Sequence, residues 1–157
     1  MALTKEQRKK RKKYLGSSDI AALMECSPWG TTYDLYLEKT GQVKMEKDKP
    51  YLTAGQIFES GVLEWASIEL EQSLTKSPEN ISEELKLMSH PDAEIPGGDP
   101  VEAKTTGLFA PVIGTWGEPM TDEMPDYVVL QCQAHLICSG RQTCYVPTFI
   151  GDRKSVV

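Results

Sequence analysis

His90-Pro91-Asp92-Ala93-Glu94-Ile95-Pro96-Gly97-Gly98-Asp99-Pro100-Val101-Glu102-Ala103-Lys104-Thr105-Thr106 contains two extended runs separated by a cluster of turn formers. Proline and glycine at 96–98 and proline at 100 predict a turn, so His90 to Ile95 and Val101 to Thr106 are expected to pair as strands. Glu102 and Lys104 stand one residue apart on the second strand, and their side chains therefore share a face. Alone, such a pair is most often a salt bridge at a strand edge. Asp92, ten residues earlier on the partner strand, alters that balance, because folding the hairpin brings it near Glu102. Two adjacent carboxylates repel and desolvate poorly unless a cation lies between them, which favours a hard metal with oxygen ligands, magnesium or manganese. Asp99 is a poorer partner, lying only three residues before Glu102. His90 is another candidate ligand, though a histidine leading into a strand is more often structural.

Working outward, residues 107 to 124 are rich in glycine and proline and read as an irregular crossing. Pro125 suits the first turn of a helix that continues through Tyr127, Val128, Leu130, Ala134, Leu136 and Ile137 to Gly140. Thr143 to Ile150 is β-branched and aromatic and predicts a strand. Upstream, Leu52, Ile57, Phe58, Val62, Trp65, Ile68 and Leu70 recur at mostly helical spacing, predicting a helix from Tyr51 to about Leu74. Between them, residues 77 to 89 are mixed, with Pro78 as a breaker, and are expected to form a loop with a short helix or strand. Closer to the N-terminus, Thr31 or Thr32 starts a helix stopped at Gly41, and Ser17 or Ser18 caps a short helix from Asp19 to Glu25. Residues 42 to 50 form a loop, and Thr4 caps a basic helix ending near Lys13. The expected fold class is α/β, a mixed β-sheet flanked by helices.

The 157 residues suit one domain, 1–157, with the basic helix 1–13 at its start. A net charge of −6 alone argues against a polyanion partner, but its distribution does not. Lys5, Arg8, Lys9, Lys10, Arg11, Lys12 and Lys13 face one acid, Glu6, so the first thirteen residues carry +6 and the rest −12. A basic arm on an acidic body suits phosphate contact at one end and metal-binding carboxylates elsewhere. No apolar run approaches the roughly 18 residues of a membrane span. The basic start leads into no apolar stretch, as a secretory signal would. A cytoplasmic setting with no membrane partner is the expectation. The cysteines Cys26, Cys132, Cys138 and Cys144 form no C-x-x-C pair, which disfavours zinc and leaves ordinary reduced thiols.

Asp92 followed by Glu102-Ala103-Lys104 resembles the signature of the PD-(D/E)xK nuclease superfamily, with its restriction-endonuclease-like core. Further ordered blocks narrow the resemblance to the YqaJ-like viral recombinase group, similar to the lambda-type alkaline exonucleases. These are Leu15 to Leu23, Ser27-Pro28-Trp29 with Leu35 to Gly41, Gly55 to Glu59, and Gln131-Cys132-Gln133 with Gly140. Here Ala93 follows Asp92, where the family usually has glycine. The family often continues with another strand and helix beyond the last strand predicted here.

The resemblance implies roles. Asp92, Glu102 and the carbonyl of Ala103 match metal ligands for Mg²⁺ or Mn²⁺, and Glu59 matches a glutamate at the edge of the metal site. Lys104 matches the lysine that orients or deprotonates the attacking water. Gln131 matches the glutamine that holds that water or the scissile phosphate. Arg11 and Ser18 match the pair that grips a 5′-phosphate, and a helix start at Ser18 also attracts anions. The implied activity is a metal-dependent 5′→3′ exonuclease on linear double-stranded DNA in phage-type recombination. The implied setting is the cytoplasm of a bacterial or phage-infected cell, with a single-strand annealing protein as partner and a homo-oligomeric ring around DNA. A repair or restriction-type endonuclease on the same core is the alternative enzyme, and a degenerate DNA-end-binding protein the alternative without catalysis.

Overall fold

The protein's structure, a computed structural model, describes residues 10–43, 50–107, 115–151 and 153–156. The expected basic helix 1–13 therefore lies outside the described residues except for its last turn, where Lys10 and Arg11 are helical. Elements then follow as β1 (Leu15–Gly16), a 3-10 turn (Ser17–Asp19), α1 (Ile20–Leu23), α2 (Thr32–Thr40) and α3 (Pro50–Glu69). The strands β2 (Asn80–Ser82), β3 (Leu87–Ser89), β4 (Ala93–Glu94), β5 (Pro100–Val101) and β6 (Lys104–Thr106) precede α4 (Asp126–Ser139), β7 (Pro147–Ile150) and β8 (Arg153–Val156). Among the described residues no helix is long and apolar enough to cross a membrane.

Among the described residues the strands form three small sheets, in the orders β1-β3-β2, β4-β5 and β6-β7-β8. Parallel pairing joins β1 to β3 and β6 to β7, and the remaining pairs are antiparallel, so the pairing is mixed as expected. A parallel bridge between Val101 and Tyr145 carries the β6–β7 register back to β5. The second and third sheets are thus one ladder interrupted at Glu102 and Ala103.

The helix α4 runs from the cap at Pro125 to Gly140, which adopts the left-handed conformation. Its inner face carries Val128 and Cys132, which pack with Val146 into a cluster edged by Trp116, Met124, Tyr127 and Cys144. Val128, Val146 and the nearby Val101 are fully buried. Each such side chain contributes about 1.5–3 kcal/mol relative to exposure. The same helix packs on β2, β3 and the 3-10 turn. Trp29 meets Tyr127 edge-on at 4.8 Å between centroids, which ties the Ser27–Gly30 turn to α4.

Several local expectations are revised. The helix α3 ends at Glu69 rather than near Leu74. Neither Ser17 nor Ser18 caps the short helix. Asp19 holds its cap position, while Gly16 caps the 3-10 turn before it and donates its N–H to the Asp19 carboxylate at 2.7 Å. The strands β1 and β8 carry no period-two signal, being two and four residues long, and take their extended form from their partners. The two-residue β4 replaces the six-residue strand expected from His90 to Ile95. His90 instead turns to Glu79, 2.8 Å away.

Candidate active site

The hairpin of β4 and β5 sets the geometry. Gly97 and Gly98 lie at φ +108° and +89°, a region that side chains other than glycine rarely adopt, and Gly98 donates its N–H to the Ile95 carbonyl at 2.9 Å. Ala93 pairs with Val101 and Glu94 with Pro100, so the next rung would set Asp92 opposite Glu102. That rung is not a backbone pair. The Asp92 carboxylate accepts the Ala103 N–H at 2.8 Å, while the Glu102 N–H donates to the Tyr145 carbonyl at 2.9 Å. The strand expected from Val101 to Thr106 breaks at these two residues because a side chain takes the place of a ladder partner.

Glu102 is the hub. It is only 5% exposed, and all its partners come from other elements or the next turn of strand. Its Oε1 accepts from Lys104 Nζ at 2.7 Å and from Gln131 Nε2 at 2.6 Å, and Lys104 Nζ also donates to Gln131 Oε1 at 2.8 Å. Its Oε2 lies 3.0 Å from His135 Nε2. The structure thus brings Asp92, Glu102, Ala103, Lys104 and Gln131 together. Glu59, on the α3 helix that packs against β6, adds its negative charge toward Asp92.

His135 did not figure in the expectations, although it lies one turn beyond Gln131 on α4. Spacing of four places Tyr127, Gln131 and His135 on one helical stripe, and this was the signal available. Its fully buried ring also contacts Ser89 on β3, with Nδ1 2.6 Å from Oγ.

The two carboxylates differ sharply. Burial, followed by repulsion from Glu102 and Glu59, pushes Asp92 up to about 8, and the Ala103 N–H and Lys104 offset only part of this. Burial also opposes the charge on Glu102, but Lys104 and His135 outweigh it and bring its carboxyl down to about 2. Burial alone would favour a neutral Lys104, yet Glu102, and behind it Asp92, hold it above its ordinary value.

The Arg11 and Ser18 pair is arranged differently from a direct couple. Arg11 reaches Asp19, the neighbour of Ser18, at 3.4 Å, and Ser18 itself is exposed. Lys39 was not anticipated there. Its Nζ lies 2.5 Å from Asp19 and donates to the carbonyls of Arg11 and Tyr14 at 2.9 and 3.1 Å. Buried Asp19 therefore gathers two cations and the Gly16 N–H beside Ser18.

Among the described residues no group of three or more His, Cys, Asp and Glu side chains is arranged to hold a metal ion. The donor chemistry still fits a small hard cation. Asp92 is a half-buried carboxylate whose neighbours are mainly negative, and magnesium is commonly held by one or two carboxylates with water and phosphate oxygens. All four cysteines are free thiols.

The model of the YqaJ-like viral recombinase domain matches residues 7–142. The uncharacterized protein YqaJ of Bacillus subtilis (strain 168) is 26% identical over 159 residues, covering 93% of this chain. The chain spans 46% of that relative's length. The crystal structure of an alkaline exonuclease, LHK-Exo, from Laribacter hongkongensis superposes with a TM-score of 0.68 at 15% identity, over 98% of this chain and 79% of its own. LHK-Exo in complex with dAMP superposes at 0.63 with 18% identity, over 90% and 71%. At such identities the likeness is one of fold, the PD-(D/E)xK fold. With most of its length inside the matched span, the chain belongs to the family of YqaJ-like viral recombinase domains.

Proposed function

We propose that the chain is a divalent-metal-dependent deoxyribonuclease that degrades linear double-stranded DNA 5′→3′ from 5′-phosphorylated ends. One observation carries the proposal. Lys104 Nζ bridges Glu102 and Gln131 on the edge where Asp92 stands as a half-buried carboxylate with negative neighbours. A structural ion pair accounts for Lys104 and Glu102 but not for an adjacent Asp92. The family and the fold shared with LHK-Exo support the same reading.

A cation held by Asp92, Glu102 and the Ala103 carbonyl would supply Lewis-acid activation of water and neutralisation of phosphate charge. Lys104, kept protonated by Glu102, presents an ammonium to a phosphodiester. Gln131 fixes that ammonium through its Oε1 and steadies Glu102 through its Nε2. Glu59 adds a carboxylate at the rim. Arg11 and Ser18, beside Asp19, grip the 5′-phosphate, and Asp19 with Lys39 keeps Arg11 in place. Such contacts attract backbone without reading bases, so little sequence specificity follows. Residues 1–157 act as one nuclease domain, working with a single-strand annealing protein and assembling as a ring.

The test incubates the protein with linear and closed circular duplex, with and without a 5′-phosphate and Mg²⁺. The expected result is loss of linear DNA, faster with the phosphate, and about 10²–10³-fold slower in Lys104→Ala. Cutting of closed circles would overturn the exonuclease in favour of an endonuclease. Binding of ends without cleavage in Mg²⁺ or Mn²⁺ would leave a DNA-end-binding protein.

A further inference from the structure

Glu102 has to remain ionised in a site where water scarcely reaches it, and it has to keep one orientation. Lys104 and Gln131 both act on Oε1, which leaves the plane of the carboxylate free to turn about that oxygen. The second anchor is His135, at 3.0 Å from Oε2. His135 and Ser89 are each fully buried, so no solvent competes for either contact. An ionised carboxylate only accepts hydrogen bonds, and the nitrogen facing it must therefore carry the hydrogen. In the neutral ring that leaves Nδ1 as an acceptor, and its neighbour at 2.6 Å is the Ser89 hydroxyl, which can donate. The three groups form a directed chain from Ser89 O–H to His135 Nδ1, and from His135 Nε2–H to Glu102 Oε2.

We propose that His135, held by Ser89 in the tautomer with its hydrogen on Nε2, is the positioning residue that fixes the carboxylate plane of Glu102. The inference rests on the nuclease reading for its consequence, since the oriented Glu102 is the group offered to the cation and to Lys104. His135 touches neither DNA nor cation. It acts on both through Glu102, leaving Oε1 to Lys104 and Gln131 and one lone pair of Oε2 unclaimed. Its position explains why a histidine sits in the core on the same stripe as Gln131. The chain links β3, α4 and the broken strand at Glu102, so three elements jointly set one carboxylate.

The experiment compares His135→Leu, His135→Gln and Ser89→Ala with the parent protein. A glutamine at 135 keeps a donor toward Glu102 and an acceptor toward Ser89, whereas leucine keeps neither. Calorimetric titration with Mn²⁺ and nuclease kinetics on linear duplex are the first readouts. Leucine is expected to weaken Mn²⁺ binding and to lower kcat, each about 10–100-fold, with the KM for DNA little changed. Glutamine should recover most of both losses, and Ser89→Ala should fall between. A folded His135→Leu with parental Mn²⁺ affinity and kcat overturns the proposal, as does a folded glutamine variant no better than leucine. Nitrogen-15 NMR of the metal-free parent gives a reading that needs no variant at 135. His90 is the one other histidine, and His90→Gln assigns the signals. A hydrogen on Nε2 and a bare Nδ1 support the chain, and the reverse tautomer overturns it even if leucine does not fold. A parent protein that neither binds Mn²⁺ nor cleaves overturns the nuclease reading instead, and the tautomer then decides the positioning of Glu102 alone.

Discussion

Asp92 and Glu102 share a side-chain chemistry and face one another across the hairpin, yet their surroundings drive them in opposite directions. Glu102 has a lysine, a glutamine and a histidine around it, whereas Asp92 has one backbone N–H and two negative neighbours that the charge of Lys104 offsets only in part. Between pH about 4 and about 8 the metal-free folded protein keeps a proton on Asp92 that the unfolded chain has lost. On that account stability is greatest at the acid end of this window and falls as pH rises toward about 8. Glu102 works the other way. Its contribution is present above about 4.5 and is lost as pH falls toward about 2. Asn at position 92 still accepts the Ala103 N–H without bringing a charge into the site. Chemical denaturation in EDTA at pH about 8 should find Asp92→Asn more stable than the parent by about 1–3 kcal/mol. The same series should show a flatter dependence on pH. Adding Mn²⁺ at about 100 times its dissociation constant should stabilise the parent by about 2.7 kcal/mol, and Asp92→Asn by much less. A parent whose melting temperature ignores Mn²⁺ would speak against a cation at this edge.

At the scale of elements, the hairpin is the least redundant part of the site. Two-residue strands β4 and β5 supply few ladder bonds, so the turn between them carries much of the register. Gly98 lies at φ +89° with the Arg141 guanidinium occupying the space a β-carbon would need. An added methyl there meets only the mobile end of Arg141, but the backbone angle itself is costly for alanine. Gly98→Ala is expected to destabilise the protein by about 1–2 kcal/mol. It should also lower cleavage by more than it lowers DNA binding, because it disturbs Asp92 opposite Glu102 and leaves Arg11 and Ser18 untouched. Denaturation and a kcat-against-KM comparison check both parts. The helix α4 is better secured, with left-handed Gly140 closing its C-terminal end and a fully buried Val128. For that reason Gln131 is held with less dependence on any one neighbour.

For the whole molecule, the charge is divided between a basic start and an acidic remainder. Lys5, Arg8 and Lys9 lie in residues outside those described, and their contribution is argued from charge alone. Each phosphate contact made by such a side chain adds about −0.9 to the slope of log affinity against log salt concentration. Replacing all three with alanine should flatten that slope by about 2–3 units in a fluorescence-anisotropy titration on duplex DNA. Cleavage measured at saturating DNA should change little, since the arm is remote in sequence from Glu102 and Lys104. An unchanged slope would remove the arm from DNA binding.

The sequence by itself determined the local parts. Residue spacing placed Glu102 and Lys104 on one face, proline and glycine marked the hairpin that returns Asp92, and start and stop residues at Thr31 and Gly41 and at Pro125 and Gly140 marked α2 and α4 nearly to their ends. Those features depend on neighbours along the chain, which propensity and alternation record. Family resemblance, rather than spacing, singled out Glu59, Gln131, Arg11 and Ser18. Only the tertiary structure decided the rest. The break at Glu102 and Ala103 depends on the Asp92 side chain replacing a ladder bond, and β8 takes its extended form from pairing with β7. Ser89 and His135 are far apart in sequence and meet because β3 packs on α4. Asp19, Arg11 and Lys39 likewise converge from three separate segments. Hydrogen bonds between distant residues leave no periodic trace, and a buried charge is recognisable only once its burial is known.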